Sequence, residues 1–443
     1  MIILSIPANY AISYSKWKEY RLDFLEFLEN FNKKVDQHTI LTIRNTKEGG
    51  LNHFNSQKKL NFYKKMISTY NCLVDWEIES YKTSYRIPFD NLILSYHNFE
   101  NFDKDFLLHL AKKANQLPCK YLKLAVPIEN YSDLTDIEYI FMQSNKKILW
   151  AGLGKLGKLS RILHRNLGAT GTYLGLQNAP TSSSQLNFQE TRKYNFETIN
   201  TNTKIGGIIG GKNVKNSLGL EFYNNIFAKK QLNAVYLPFI VDSLPEFLKW
   251  LDSFGCDKFF GFSVTMPSKM ELASYLNKKE PINLYLPYSQ LSYNTDITAF
   301  QNSLEKMGIG MNSTIIVWGY GGAATAFIVA ARKFKDNIYV DGRNQQKLRA
   351  FCKKYNLKKV REKNQDCSLL VNCTPLGTKP YPLNTLKLPK FNKLIDLPYQ
   401  NQDTDLVKLC RIKSLDFISG KEFWHWQAKE QLQIFLNEIK NKI

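Results

Sequence analysis

Short apolar or alternating runs recur through the first 175 residues: IILSIP, EYRLDFL, TILTIR, LVDWEIE, LILSYH, KYLKLAV, KKILWAGL and ATGTYLGL. Polar, helix-compatible pieces such as FNSQKKLNFYKKMIST and NFDKDFLLHLAKKANQL separate them. Strand-sized runs alternating with helical ones imply parallel pairing through crossovers. Eight such units predict an α/β fold beginning with a (β/α)8 TIM barrel over residues 1–190, slightly short for that fold. Its chemistry belongs at the carboxyl ends of the strands. Polar residues fall there: Arg44 and Glu48 after the third run, His97 ending the fifth, Lys123 within the sixth and Arg161 after the seventh.

After the barrel, NFQETRKYNFETINTNTK is polar and without period, which predicts a linker over 191–203. Further on, STIIVWGYGGAATAFIVAARKF carries an apolar strand through a glycine-rich turn (Gly319, Gly321, Gly322, Ala323) into an alanine-rich helix. The glycines permit a tight turn and the close approach of a pyrophosphate, which then lies at the helix N-terminus. A Rossmann domain is predicted over 304–421, preceded by an α/β domain over 204–303 that the final helix, within 422–443, completes. The next strand, NIYVDGRN, ends in Asp341, Arg343 and Asn344. An acid there suits the ribose hydroxyls of NAD, whereas Arg343 with Lys347 suits the 2′-phosphate of NADP; the basic pair favours NADP.

At 443 residues, with 44% hydrophobic and 22% charged residues, the chain has the make-up of a soluble enzyme of two or three domains. Its apolar stretches, such as Ile2–Ile6 and Thr314–Trp318, are strand-sized, far below the roughly 20 residues of a membrane helix. The start MIILSIPANY reads as a first strand and not as a signal peptide. A net charge of +21 would attract nucleic acid or small anions. The lysines come in twos, as in Lys58-Lys59, Lys64-Lys65 and Lys229-Lys230, and make no basic block, so neither a nucleic-acid nor a membrane partner is expected. Seven cysteines without a CxxC pair suggest no disulfide framework and no zinc site; reduced thiols, a cytoplasmic setting and no metal are expected.

Lys123 is flanked by apolar residues. On an inward-facing strand position it would be desolvated, which lowers the pKa of an amine and frees it as a nucleophile; on an edge strand it would point at water. A base (His97), an orienting carboxylate (Glu48), an amine (Lys123) and an arginine (Arg161) at four strand ends suit imine formation with a ketone, proton removal beside it and a carboxylate anchor.

Six motifs follow one another in this half: E-x-R-x-D (Glu19, Arg21, Asp23), R-x-x-x-E-G-G (Arg44 to Gly50), D-x-E (Asp75, Glu77), S-x-H (Ser95, His97), the strand lysine Lys123, and G-x-x-G-x-x-S-R ending at Arg161. With them the first half resembles the type I 3-dehydroquinate dehydratases. The resemblance implies a Schiff base between Lys123 and the ring ketone, proton transfers by His97 oriented by Glu48, a carboxylate clamp by Arg161, and contacts of Glu19, Arg21 and Arg44 with ring hydroxyls. The family's A-P-G-Q-like closing loop here reads Ala179-Pro180-Thr181-Ser182-Ser183-Ser184-Gln185, longer and without the glycine, with Gln185 as the candidate closing contact.

In the second half, S-V-T-x-P-x-K (Ser263 to Lys269) and N-T-D-x-x-x-F (Asn294 to Phe300) precede the glycine turn. V-N-C-T-P-L-G (Val371 to Gly377), Asp396-x-x-Tyr399, Gly420 and Gln427-Ala428 follow it. This half resembles the shikimate dehydrogenases. A carboxylate beside a lysine keeps it charged and placed to protonate the alkoxide formed by hydride delivery; singly, Lys269 reads as a surface lysine and Asp296 as an N-cap. The resemblance implies that Lys269 and Asp296 are the catalytic pair, that Ser217, Thr265, Asn283, Tyr399 and Gln427 touch substrate, and that Asn372, Thr374 and Gly420 lie along the cofactor. The family's S-x-S carboxylate clamp reads Ser217-Leu218-Gly219, so one hydroxyl donor is missing, a loss of about 1.5–3 kcal/mol unless another group replaces it.

Together the resemblances imply a bifunctional enzyme that dehydrates 3-dehydroquinate to 3-dehydroshikimate and reduces it with NADPH to shikimate. Two alternatives stand beside it: a catabolic quinate or shikimate dehydrogenase using NAD, and a non-catalytic regulator derived from these domains. The full set Glu48, His97, Lys123, Lys269 and Asp296 weighs against the regulator.

Overall fold

The computed structural model describes residues 1–10, 15–178, 185–360, 365–383, 388–399 and 402–440. All eight expected strands form: β1 (Ile2–Pro7), β2 (Trp17–Arg21), β3 (Thr39–Thr42), β4 (Leu73–Glu77), β5 (Leu92–His97), β6 (Tyr121–Ala125), β7 (Lys147–Trp150) and β8 (Gly171–Gly175). Each pairs in parallel with the next, and β8 returns to β1 with Tyr173 opposite Ile3, which closes the barrel. A short ninth strand, β9 (Leu186–Asn187), pairs with β8.

Alternation along each strand sends every second side chain inward. One inward layer is apolar, built from Ile3, Ile40, Leu73, Ile93, Tyr121 and Leu149. Burying such side chains stabilises the barrel by about 1.5–3 kcal/mol each. Two residues further along the same strands the inward positions turn polar: Ser5, Glu19, Thr42, Asp75, Ser95 and Lys123, all buried. Two residues further again stand Arg21, Arg44, Glu77 and His97. The apolar layer thus seals the base on which a polar site is built.

The chain divides into two compact units. The first comprises Met1–Gly206 with Leu220–Pro238 and Pro245–Lys258. In it, the stretch expected to be a structureless linker is folded. Asn187 caps the helix Phe188–Arg192, and a 3-10 turn over Phe196–Thr198 buries Phe196 and Ile199. Arg165 donates to the Ile199 carbonyl and Asn195 to that of Asn224. The polar composition concealed two apolar anchors. Tyr131 packs on Phe247 and Trp250, with ring centroids 5.0 and 4.9 Å apart, which joins Pro245–Lys258 to this unit.

The second unit comprises Gly207–Gly219, Phe239–Leu244 and residues from Phe259 onward. In chain order the strands after the barrel are β10 (Lys204–Gly210), β11 (Ala234–Ile240), β12 (Phe259–Val264), β13 (Leu284–Leu286) and β14 (Leu291–Tyr293), of which the last three form an antiparallel meander in this unit. A parallel sheet follows, built from β15 (Ile315–Trp318), β16 (Ile338–Asp341), β17 (Lys358–Lys359), β18 (Cys367–Asn372), β19 (Phe391–Asp396) and β20 (Asp416–Ile418). Its order is β17-β16-β15-β18-β19-β20, the arrangement of a doubly wound fold. The closing helix Gly420–Lys440 packs on the helix Thr295–Lys306, where Phe423 meets Phe300 at 4.5 Å. Among the described residues, no helix is long and apolar enough to cross a membrane.

Candidate active sites

In the barrel, Lys123 Nζ donates to Glu19 Oε1 at 2.7 Å and to Asp75 Oδ2 at 2.8 Å, and lies 4.3 Å from the centre of the Tyr173 ring. The hydroxyls of Ser5 and Thr42 donate to Glu19, and that of Ser95 to Asp75. Burial pushes the Glu19 carboxyl up, but Lys123, Arg44 and Arg21 together outweigh it and bring it down to about 2. The amine is therefore not the bare desolvated group expected from its apolar flanks. Two buried carboxylates bracket it, because the strand parity that turns Lys123 inward turns Glu19 and Asp75 inward as well.

His97 Nδ1 lies 2.8 Å from Glu77 Oε2, and Glu77 Oε1 accepts the His97 backbone N–H at 2.9 Å. Glu48, expected to orient His97, instead accepts the backbone N–H of Asn45 at 3.0 Å and closes a capping box on the 3-10 helix Thr46–Glu48. A glutamate three residues after a capping asparagine folds back on its own turn. Burial, then the charges of Glu48 and Asp75, push the Glu77 carboxyl up to about 8. Burial, then Arg44 and Lys123, hold His97 well below the ordinary histidine range. Both shifts disfavour the doubly charged form of the pair. His97 Nε2 is buried without a hydrogen-bond partner among the described residues, and His97 lines the same cavity as Lys123.

Arg21, Arg44, Arg161 and Gln185 line that cavity too. Asp23 holds Arg21 by a fork of two 2.7 Å bonds. Arg44 is buried, and burial, then the charge of Arg21, lower its pKa. Arg161 donates from Nε to the Gly152 carbonyl at 2.8 Å and from Nη1 to the Tyr173 carbonyl at 2.9 Å, and burial lowers it to about 10. Residues 179–184 of the expected closing loop lie outside the described residues. Asp75 and Glu77 belong to the D-x-E motif, which carries no assigned role in the sequence, and nothing in the sequence singles out Ser5 and Tyr173.

In the second unit, Lys269 forms an ion pair with Asp296 Oδ2, and Asn283 Nδ2 donates to Asp296 Oδ1 at 2.9 Å. The helix that begins at Thr295 is capped by Asn294, which leaves the Asp296 carboxylate to the lysine. Gln427 Oε1 accepts from Thr295 Oγ1 at 3.3 Å and meets Asn283 Nδ2 at 3.5 Å. Gln431, one turn later and unforeseen, donates to the Asn283 carbonyl at 3.1 Å and to Thr295 Oγ1 at 3.2 Å, while its Oε1 accepts the Ser263 hydroxyl at 2.6 Å. Its spacing of four from Gln427 puts both amides on one helix face. Ser217 Oγ accepts the Gly219 backbone N–H at 3.2 Å, Thr265 is half-buried and Tyr399 is exposed.

Gly319, with φ of 110°, makes the turn after β15; a Cβ there would stand 3.2 Å from Cys373 O and from Thr374 Cγ2. Gly321 then caps the helix Gly322–Ala330 and borders open space, with Ala323 half-buried in its first turn. Lys269 Cδ stands 3.7 Å from where a Cβ on Gly322 would be, so the glycine turn adjoins the lysine–aspartate pair. Beyond β16, Arg343 and Lys347 are exposed, and Asn344 caps the helix Gln345–Tyr355. Asp341 Oδ1 accepts the neighbouring Gly342 N–H at 2.7 Å.

Asn372, expected along the cofactor, is fully buried and spent on the protein. Its Nδ2 donates to Asp396 Oδ1 at 2.7 Å and to the Leu376 carbonyl at 3.0 Å, and its Oδ1 accepts from Thr374 N and Oγ1. Two donors and two acceptor sites exhaust the amide. It shapes the loop that carries Thr374. Burial pushes Asp396 up to about 6 against the bonds from Thr404 and Asn372. Gly420 is fixed by packing: a Cβ there would stand 2.4 Å from Leu397 O and 2.5 Å from Pro398 O.

Residues 13–200 match the family model described as type I 3-dehydroquinase, and residues 209–282 match that of the shikimate dehydrogenase substrate binding domain. The chloroplastic bifunctional 3-dehydroquinate dehydratase/shikimate dehydrogenase of Arabidopsis thaliana is 25% identical over 471 residues, covering 94% of this chain and 77% of that protein. The NADP(+) shikimate dehydrogenase of Clostridium botulinum is 28% identical over 255 residues, covering 53% of this chain and 97% of its own. Among solved structures, shikimate dehydrogenase from Aquifex aeolicus is 26% identical with a TM-score of 0.46, covering 55% of this chain and 98% of that one.

Proposed function

We propose, for a chain whose residues 13–200 belong to the type I 3-dehydroquinases and whose residues 209–282 belong to the shikimate dehydrogenase substrate binding domains, that its two sites perform consecutive reactions. The barrel dehydrates 3-dehydroquinate to 3-dehydroshikimate, and the second unit reduces that ketone to shikimate with NADPH. The meeting of Lys123, His97 and Arg161 on one cavity carries this reading.

In the barrel, Lys123 Nζ attacks the ring ketone, and water leaves as the imine forms. Ammonium and protonated imine carry the same charge, so Glu19, Asp75 and the Tyr173 ring face stabilise the nitrogen before and after the bond forms. The cationic imine draws electrons from the neighbouring carbon. His97 Nε2 takes the proton released there and returns it to the departing hydroxyl, while Glu77 holds the ring through Nδ1. Arg161, fixed by two backbone carbonyls, anchors the substrate carboxylate, and Arg21, Arg44 and Gln185 stand about the ring.

In the second unit, Lys269 holds the proton that the new alkoxide requires, and Asp296 keeps the ammonium in place. Asn283 and Gln427 position the ring from the side of Asp296. The open border of Gly321 at a helix N-terminus fits a pyrophosphate, and the exposed Arg343 and Lys347 fit a 2′-phosphate, with Asn344 between them. When bound there, NADPH supplies the hydride. The dehydratase site draws on residues 1–190, and the reductase site on 204–303, 304–421 and the closing helix. The seven free cysteines suit a reducing compartment such as the cytoplasm; the plant relative is described as chloroplastic.

Following NADPH absorbance after adding 3-dehydroquinate alone tests the whole reading. Loss of absorbance requires both sites. A chain that consumes NADPH with 3-dehydroshikimate but not with 3-dehydroquinate has no working first half.

A further inference from the structure

Tyr173 stands on β8 with 2% of its surface exposed, and its hydroxyl is buried without a hydrogen-bond partner among the described residues. Tyr63, equally enclosed on the outer side of the same barrel, shows the usual arrangement: its hydroxyl accepts from Ile43 N at 2.8 Å and donates to Asp75 O at 2.9 Å. Leaving a buried hydroxyl unpaired is unfavourable, and a phenylalanine would present the same ring face to Lys123 without that cost. The packing of the ring therefore does not account for the oxygen. A ligand does, because Tyr173 lines the cavity of Lys123, His97 and Arg161.

We infer that the Tyr173 hydroxyl donates a hydrogen bond to the substrate held at Lys123, a polyhydroxylated ring ketone bearing a carboxylate; this rests on the dehydratase reading of the barrel. The side chain then has two parts. Its ring face supports the cationic nitrogen 4.3 Å away, and its hydroxyl gives one oriented bond to a substrate oxygen. Burial, then the charges of Glu19 and Asp75, hold the phenol well above its ordinary value, so it is a donor throughout the working pH range. As a neutral donor among arginines it binds an oxygen without adding charge to a site already rich in it.

Tyr173→Phe isolates the oxygen, since ring, volume and apolar contacts remain. The expected result is a fall of about tenfold in kcat/KM for 3-dehydroquinate, carried mainly by KM, with borohydride still trapping substrate on Lys123. The thermal midpoint should hold or rise, because an unpaired buried oxygen has been removed. Unchanged kinetics overturn the assignment, as does a lowered midpoint with unchanged kinetics, which would mark the hydroxyl as structural. Calorimetric titration with 3-dehydroshikimate reads the same contact without turnover, and equal affinity of the two proteins overturns it again. Failure of the unaltered chain to trap substrate on Lys123 would instead defeat the dehydratase reading, a separate result.

Discussion

Glu77 grips His97 at two points, accepting its backbone N–H on Oε1 at 2.9 Å and meeting Nδ1 with Oε2 at 2.8 Å. Two contacts from one carboxyl fix both where the residue lies and how the imidazole is turned, and they leave Nε2 without a partner among the described residues. The adjacent strands make this possible, since Glu77 is in register with Ser95, two residues before the histidine.

Glu77→Gln should therefore lower dehydration about 10²-fold, while Glu48→Gln should cost less than about tenfold, with its larger effect on stability. Steady-state rates of the two variants decide between the carboxylates. The opposite order would give the orienting role to Glu48.

The same glutamate should shape stability against pH. Its folded-state value of about 8 lies above its ordinary 4.5, so between those values the folded chain keeps a proton that the unfolded chain has lost. The contribution is fully present below 4.5 and disappears as pH rises through about 8. Glu77→Gln should raise the melting temperature relative to the parent more at pH 8 than at pH 5. Equal shifts at both would mean that Glu77 is ionised in the folded protein.

Borohydride with 3-dehydroquinate should add one reduced substrate to the chain at Lys123, seen by mass spectrometry, and Lys123→Ala should abolish the adduct. An adduct surviving in that variant would place the imine elsewhere.

Lys269→Ala should lower reduction of 3-dehydroshikimate by about 10²–10⁴-fold and leave dehydration intact, because the two groups of side chains belong to different units. Separate assays of the half-reactions check this. Parallel loss of both would show that the two sites do not work independently.

Arg343→Ala should reduce the preference for NADPH over NADH by about tenfold or more, the worth of one charge-assisted contact with a phosphate. An unchanged ratio would falsify the role given to that guanidinium.

Both architectures were legible because period-two alternation and the strand–glycine–helix run are local signals. The ends of the strand-sized runs gathered Arg44, His97, Lys123 and Arg161, and the flanking strand and helix gave meaning to Gly319 and Gly321. Which carboxylate reaches His97 was not legible, since it turns on the lateral register of β4 and β5 and on a capping box that claims Glu48. The partners of Asn372 were not legible for a related reason, since Asp396 reaches it only through the pairing of neighbouring strands. The stretch 191–203 reads as a linker because its two buried apolar residues, Phe196 and Ile199, are too few to make a period.

The helix that starts at Gly420 rests with its first residue against the carbonyls of Leu397 and Pro398. At a rise of about 1.5 Å per residue, Gln427 rides about 10 Å along that rod and Gln431 one turn beyond. A single methyl group added at position 420 has nowhere to go, and the rod must tilt or slide to admit it. The displacement would arrive at the amides that frame Asn283 and Thr295, beside the Lys269–Asp296 pair. A residue without a functional group thereby sets where both glutamine amides stand, acting as the fulcrum of a lever whose far arm is the proposed substrate site.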